Sequence, residues 1–281
     1  MPRAFSRAAP RADTVGSMTD RICVREAGSG VPVVLLHAFP LDSRMWQAQL
    51  DELPGSDGGD ARVIAPDLRG FGGTALGEDS PGLEALAEDV LLMLDRAGIE
   101  RVVLGGLSMG GYVALAFARR YPERLLGLVL ADTRATADTE AGRANRERIA
   151  RTVEEEKSTR VIVDEQVPEP LLGPSAAARC PELVTQVRDL VESAAPEAVA
   201  WAQRAMAARP DTTELLPRLD VPALVLVGED DAITPVADAH ALADALPQAE
   251  LVVLPGAGHL TAMEVPEAFT DALRAFLATL A

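Results

Sequence analysis

Ser108 stands in the run Gly105-Gly106-Leu107-Ser108-Met109-Gly110-Gly111, where a short Val/Leu-rich stretch gives way to a helical pattern. Gly-x-Ser-x-Gly on a strand-to-helix turn is how a serine nucleophile is held in a strained backbone conformation, with the glycines letting neighbouring elements come close. The helix that follows adds the positive end of its dipole. The same run also fits a glycine-rich turn that binds phosphate or simply packs, because so short a motif is easily met by chance.

An attacking serine needs an adjacent base, usually a histidine oriented by a carboxylate, because its hydroxyl is a poor nucleophile at neutral pH. The chain has three histidines. His240 lies inside the helical pattern 236–246 and reads as a helix-face residue. His37 ends the strand pattern 33–37. His259 follows Leu251-Val252-Val253-Leu254-Pro255-Gly256-Ala257-Gly258, a strand running into a glycine loop from which a base can reach back over a sheet. For the carboxylate, Glu229, Asp230 and Asp231 compete just after the strand pattern 223–227, and Asp132 ends the pattern 126–131. Spacing alone leaves these acids open.

The elements that must position these groups alternate. Strand patterns at 22–25, 33–37, 63–66, 101–105, 126–131, 223–227 and 251–254 are separated by helical patterns at 83–97, 109–121, 235–246 and 266–280. The later strands are continuous Val/Leu runs, as expected where helices cover both faces of a parallel sheet. Pro235 and Pro266 sit where first-turn prolines belong. This predicts an α/β fold with a mostly parallel, doubly wound sheet. From Thr133 to Pro217 no strong strand appears, only charged, Ala-rich helical stretches interrupted by prolines. Residues 133–217 are therefore expected to form a helical cap, or lid, inserted between late strands at their carboxyl ends, where open α/β sheets bind ligands. Residues 21–132 and 218–281 would form the core, and residues 1–20, which carry Arg3, Arg7 and Arg11, a disordered leader.

Composition narrows the partners. Apolar residues make up 48% of the chain and the net charge is -17, with acids scattered along its length. Such a charge disfavours nucleic acid and anionic membrane surfaces. No apolar stretch is long enough to span a bilayer, and Arg-rich residues 1–17 lack the core of a secretory signal, so a cytoplasmic protein is expected. Cys23 and Cys180, the two cysteines, read as ordinary thiols rather than a disulfide framework. Trp46, Trp201 and Met206 are candidates for an apolar acyl pocket, although large apolar side chains more often fill a core.

Leu35-Leu36-His37-Ala38-Phe39-Pro40, Pro66-Asp67-Leu68-Arg69-Gly70-Phe71-Gly72, the Ser108 turn, Gly228 to Pro235 and Gly256-Ala257-Gly258-His259 together resemble the motifs of α/β-hydrolase-fold enzymes, in family order. The similarity is greatest to the branch of small esterases, 3-oxoadipate enol-lactonases and cofactor-free perhydrolases. It implies a triad of Ser108, His259 and, by the family's spacing, Asp231, with Asp230 as the alternative. It further implies that the backbone N–H groups of Phe39 and Met109 form an oxyanion hole, that His37 props their loop, and that Asp67 and Arg69 pair to fix the next turn. Ala38 stands where the family usually has glycine. The implied activity is a serine hydrolase cleaving a small ester or lactone, with no metal or organic cofactor. The alternatives are a hydrolase-derived ligand receptor with little turnover, or perhydrolysis or carbon–carbon bond hydrolysis on the same triad.

Overall fold

The computed structural model describes residues 22–55 and 58–280, so the expected leader lies outside the described residues. Seven strands form one sheet: β1 (Val24–Gly28), β2 (Val31–Leu36), β3 (Ala61–Pro66), β4 (Val102–Leu107), β5 (Leu125–Ala131), β6 (Ala223–Gly228) and β7 (Ala249–Leu254). Their order across the sheet is β1-β3-β2-β4-β5-β6-β7. All pairings are parallel except β1 with β3. Burial explains the sequence pattern, since the residues of β4 and β6 are buried throughout whereas the edge strand β1 is largely exposed. The first strand begins two residues later than its sequence pattern indicates, because pairing with β3 rather than apolar periodicity sets its limits.

Helices flank the sheet: α1 (Gln47–Glu52), α2 (Leu83–Arg96) and α3 (Met109–Arg120) before β5, then α9 (Val236–Ala245), α10 (Thr261–Glu264) and α11 (Pro266–Ala278) after β6. Between β5 and β6 the chain makes α4 (Glu140–Glu156), α5 (Arg160–Gln166), α6 (Pro174–Arg179), α7 (Pro181–Ser193) and α8 (Pro196–Ala207). Pro174, Pro181 and Pro196 each open a helix, where a missing N–H costs nothing. The short α1 escapes a reading from periodicity because its six residues are too few to show one.

The strand order locates the ligand site. From β2 the chain moves to β3 on one side, then returns to place β4 on the other, so β2 and β4 are neighbours at a switch point. Ligands bind outside the carboxyl ends of strands at such points. His37-Ala38-Phe39 follows β2 and Ser108 follows β4. Asp132, Asp231 and His259 follow β5, β6 and β7 at the same edge of the sheet.

Candidate active site

Ser108 joins β4 to α3 with φ 54° and ψ -111°, a left-handed conformation costing a non-glycine residue about 1–3 kcal/mol. The surrounding glycines are required by space. A Cβ on Gly106 would lie 2.1 Å from the Gly110 carbonyl carbon, and one on Gly110 would lie 2.1 Å from the Leu36 oxygen. The turn is thereby pressed against the loop after β2. Its backbone is tied down as well: the Ser108 N–H donates to the Ala131 carbonyl at 2.9 Å, and its carbonyl accepts from the Thr133 hydroxyl at 2.9 Å.

The structure brings together three residues far apart in sequence. Ser108 Oγ lies 2.8 Å from His259 Nε2, and His259 Nδ1 lies 2.9 Å from Asp231 Oδ2. An ionised carboxylate can only accept, so Nδ1 carries the proton and the Nε2 lone pair receives the serine O–H. Asp231 also accepts from the N–H groups of Ile233 (2.8 Å) and Thr234 (2.9 Å) and from the Thr234 hydroxyl (2.6 Å). Burial works to raise its pKa, but the facing His259 and these donors prevail and hold it below the ordinary carboxylate range. Asp230 is exposed. His240 is exposed on α9.

Asp132 has a different environment. It is fully buried, accepts from the Gly228 N–H at 2.9 Å and is hydrogen-bonded to the Thr261 hydroxyl. Burial and the nearby charge of Asp231 push its pKa well up, so it tends to hold a proton. Its φ of 45° is one that asparagine also tolerates. An amide can accept from Gly228 and donate to Thr261, so Asp132→Asn should fold and lower kcat/KM by less than about tenfold, against the ~10⁴-fold of a carboxylate that orients a base. The stability readout has a definite sign. A carboxyl raised in the folded state contributes stability that is fully present below its unfolded pKa of about 3.9 and is lost as pH rises through the folded value. Relative to wild type, Asp132→Asn should therefore gain melting temperature between acid and neutral pH; an unchanged difference across that range would contradict a raised carboxyl.

His37 is buried with both ring nitrogens occupied. Its Nε2 accepts from the Leu68 N–H at 3.0 Å, which leaves Nδ1 as the donor to the Ala38 carbonyl at 2.9 Å. Burial lowers its pKa, keeping it neutral. It clamps the loop carrying Phe39 to the turn after β3. Among the described residues neither the Phe39 nor the Met109 N–H is given to a protein acceptor. Asp67 and Arg69 do not pair, contrary to expectation. Asp67 accepts from the N–H groups of Ser43 (2.9 Å) and Gly73 (2.8 Å), whereas Arg69 forks onto Asp89 at 2.6 and 2.8 Å and reaches Asp79 at 2.6 Å.

A cavity of about 230 Å³ opens above Ser108 and His259, walled by Phe39, Tyr112, Leu171 and Ile233 and, from α4 and α8, by Asn145, Arg146, Gln203 and Met206. Met206 thus lines it. Trp46 and Trp201, the other two candidates, do not. Trp46 is core, 5.8 Å from the Phe269 ring. Trp201 turns its indole N–H to the Asp79 carbonyl at 2.8 Å, with Arg69 over its ring. Both are large apolar side chains that packing claims first.

Glu264 carries no obvious signal in the sequence. Buried in α10, it accepts from the N–H groups of Gly258 (2.8 Å), Leu260 (2.9 Å) and Gly173 (2.9 Å), thereby joining the loop that bears His259 to the helical segment between β5 and β6. Burial raises its pKa against the pull of those donors.

Residues 31–266 match the alpha/beta hydrolase fold family. A thermophilic esterase from Thermogutta terrifontis, solved with malate bound, is 46% identical with a TM-score of 0.88, over 92% of this chain and 93% of that one. The enol-lactonase from Burkholderia xenovorans LB400 is 29% identical with a TM-score of 0.81, over 92% and 96%. The dihydrolipoyllysine-residue acetyltransferase component of the acetoin cleaving system of Pseudomonas putida is 30% identical over 277 residues, 96% of this chain and 69% of that protein.

Proposed function

The chain belongs to the alpha/beta hydrolase fold family, and from that premise we propose that it is a serine hydrolase cleaving small carboxylic esters or lactones through an acyl-enzyme. His259 Nε2 takes the Ser108 proton as Oγ attacks the acyl carbon. The Phe39 and Met109 N–H groups receive the developing oxyanion, each such donor being worth about 10²–10³ in rate. His259 then gives the proton to the leaving alcohol, takes one from the water that attacks the acyl-enzyme, and returns it to Ser108 Oγ as the acid departs. Asp231 keeps Nδ1 protonated and stabilises the imidazolium. No step calls on a cofactor. Residues 133–217 act as the cap that walls the cavity from above, and a small molecule of the cytoplasm is the expected partner.

The observation carrying this reading is the continuous chain from Asp231 through His259 to Ser108, at 2.9 and 2.8 Å, ending in a cavity lined by Phe39, whose N–H, like that of Met109 next to the serine, has no protein acceptor among the described residues. A panel of short-chain nitrophenyl esters and five- and six-membered lactones tests it. Turnover of at least one class is expected. Tight binding of one small molecule with no turnover across the panel would overturn it in favour of a receptor.

A further inference from the structure

An arginine lines the cavity that holds Ser108. Arg146 on α4 bonds through Nε to Asp138, while its Nη1 reaches Gln203 Oε1 at 3.1 Å and Met206 Sδ at 3.4 Å. Its Nη2 has no protein acceptor among the described residues. The other oxygen of Asp138 is taken by Arg209, 2.8 Å away, whose guanidinium lies 4.2 Å over the Tyr112 ring. Burial opposes ionisation of Asp138, but the two arginines outweigh it and keep the carboxyl below its ordinary range. Asp138 is thus shared between two guanidiniums, and Arg209 also lies close enough to Asp211 to help hold that carboxyl down. Among the described residues that line the cavity, Asp138 is the sole acid. The neighbouring Glu147 is turned to Arg151 and Arg204 instead.

A structural ion pair needs one arginine for one carboxylate, and Arg209, with 4% of its side chain exposed, already supplies it. Arg146 is more open at 21% and lines the same cavity as Ser108. A cationic fork with an unused nitrogen, flanked by the amides of Asn145 and Gln203, is suited to a carboxylate. The arrangement is local, because the chain as a whole is strongly negative and charges beyond about 8 Å are screened at physiological salt.

We propose that Arg146, with Asn145 and Gln203, forms a carboxylate subsite, so that the preferred substrates are esters whose acyl chain ends in a free carboxylate. This rests on Ser108 hydrolysing esters, and its test separates the two. Monomethyl adipate and methyl hexanoate differ in bearing a carboxylate or a methyl at the end of the same chain. Wild type should have the higher kcat/KM for the half-ester. In Arg146→Gln the ratio of the two values should fall at least ~tenfold, mainly through KM, as expected for loss of a charge-assisted hydrogen bond, and Arg146→Lys should restore part of it. Calorimetry with adipate dianion reads the subsite without turnover: wild type should bind it and Arg146→Gln should bind at least ~tenfold more weakly. Melting temperatures show whether the variants are folded, and Asp138 keeps Arg209 in both. An unchanged ratio together with unchanged adipate binding would overturn the subsite. Adipate binding lost on substitution, but with neither ester cleaved, would instead remove the hydrolase reading and leave the subsite standing.

Discussion

Ser108→Ala should lower kcat on any ester the protein hydrolyses by about a million-fold, leaving roughly 10³–10⁴ over the uncatalysed rate from the oxyanion donors and binding alone. The fold should survive. Ser108 Oγ bonds to His259, whereas the hydrogen bonds fixing the turn, to Ala131, Thr133 and Tyr112, come from the backbone and persist with alanine. A melting temperature near that of wild type with turnover gone would separate the chemistry from the strain stored at φ 54°. Turnover within tenfold of wild type would move the nucleophile elsewhere.

Asp231→Asn should cost about ten-thousand-fold in kcat through tautomer loss. The amide would present a donor to His259 Nδ1 and turn the proton to Nε2, where it faces the serine hydroxyl and leaves no base. Asp230→Asn, on an exposed neighbour, should change kcat/KM by less than about twofold, in keeping with surface substitutions generally. The pH dependence of stability gives a second readout. Because the Asp231 pKa lies lower in the folded than in the unfolded state, the stability it contributes is present above about 3.9 and lost as pH falls through the folded value. Asp231→Asn should therefore flatten the acid side of the stability profile, whereas Asp132→Asn changes the limb toward neutral pH. Equal kinetic losses for Asp230→Asn and Asp231→Asn would break the assignment of the acid.

The residues that the structure gathers at the candidate site were legible because the proposed chemistry restricts them to a few residue types and the strand pattern restricts where those types fall. Ser108, His259 and the acids after β6 each end or follow an apolar run, and a parallel sheet brings such ends to one edge. The preference for Asp231 over Asp230 came from the family's spacing rather than from residue type or strand pattern, and its physical basis appears only in the structure. It depends on the tight loop in which Ile233 and Thr234 donate to one oxygen of the side chain. Trp46 and Trp201 misled because residue type says that a side chain is large and apolar but not which surface it covers. Arg69 was expected to pair with Asp67, two positions away, but an acid on α2 lies closer in space. Asp138, Arg146 and Gln203 were illegible for a related reason: α4 packs along α8, and that docking determines which turns of each helix look down on Ser108.

The most direct test of Ser108 as the attacking group is stoichiometric labelling with a fluorophosphonate, followed by peptide mass spectrometry and ester hydrolysis on the same samples. The account predicts one phosphonyl group per chain, carried on Ser108, with activity falling in proportion to the label. Full labelling of Ser108 with hydrolysis intact, or inactivation tracking a label on another residue, would contradict it.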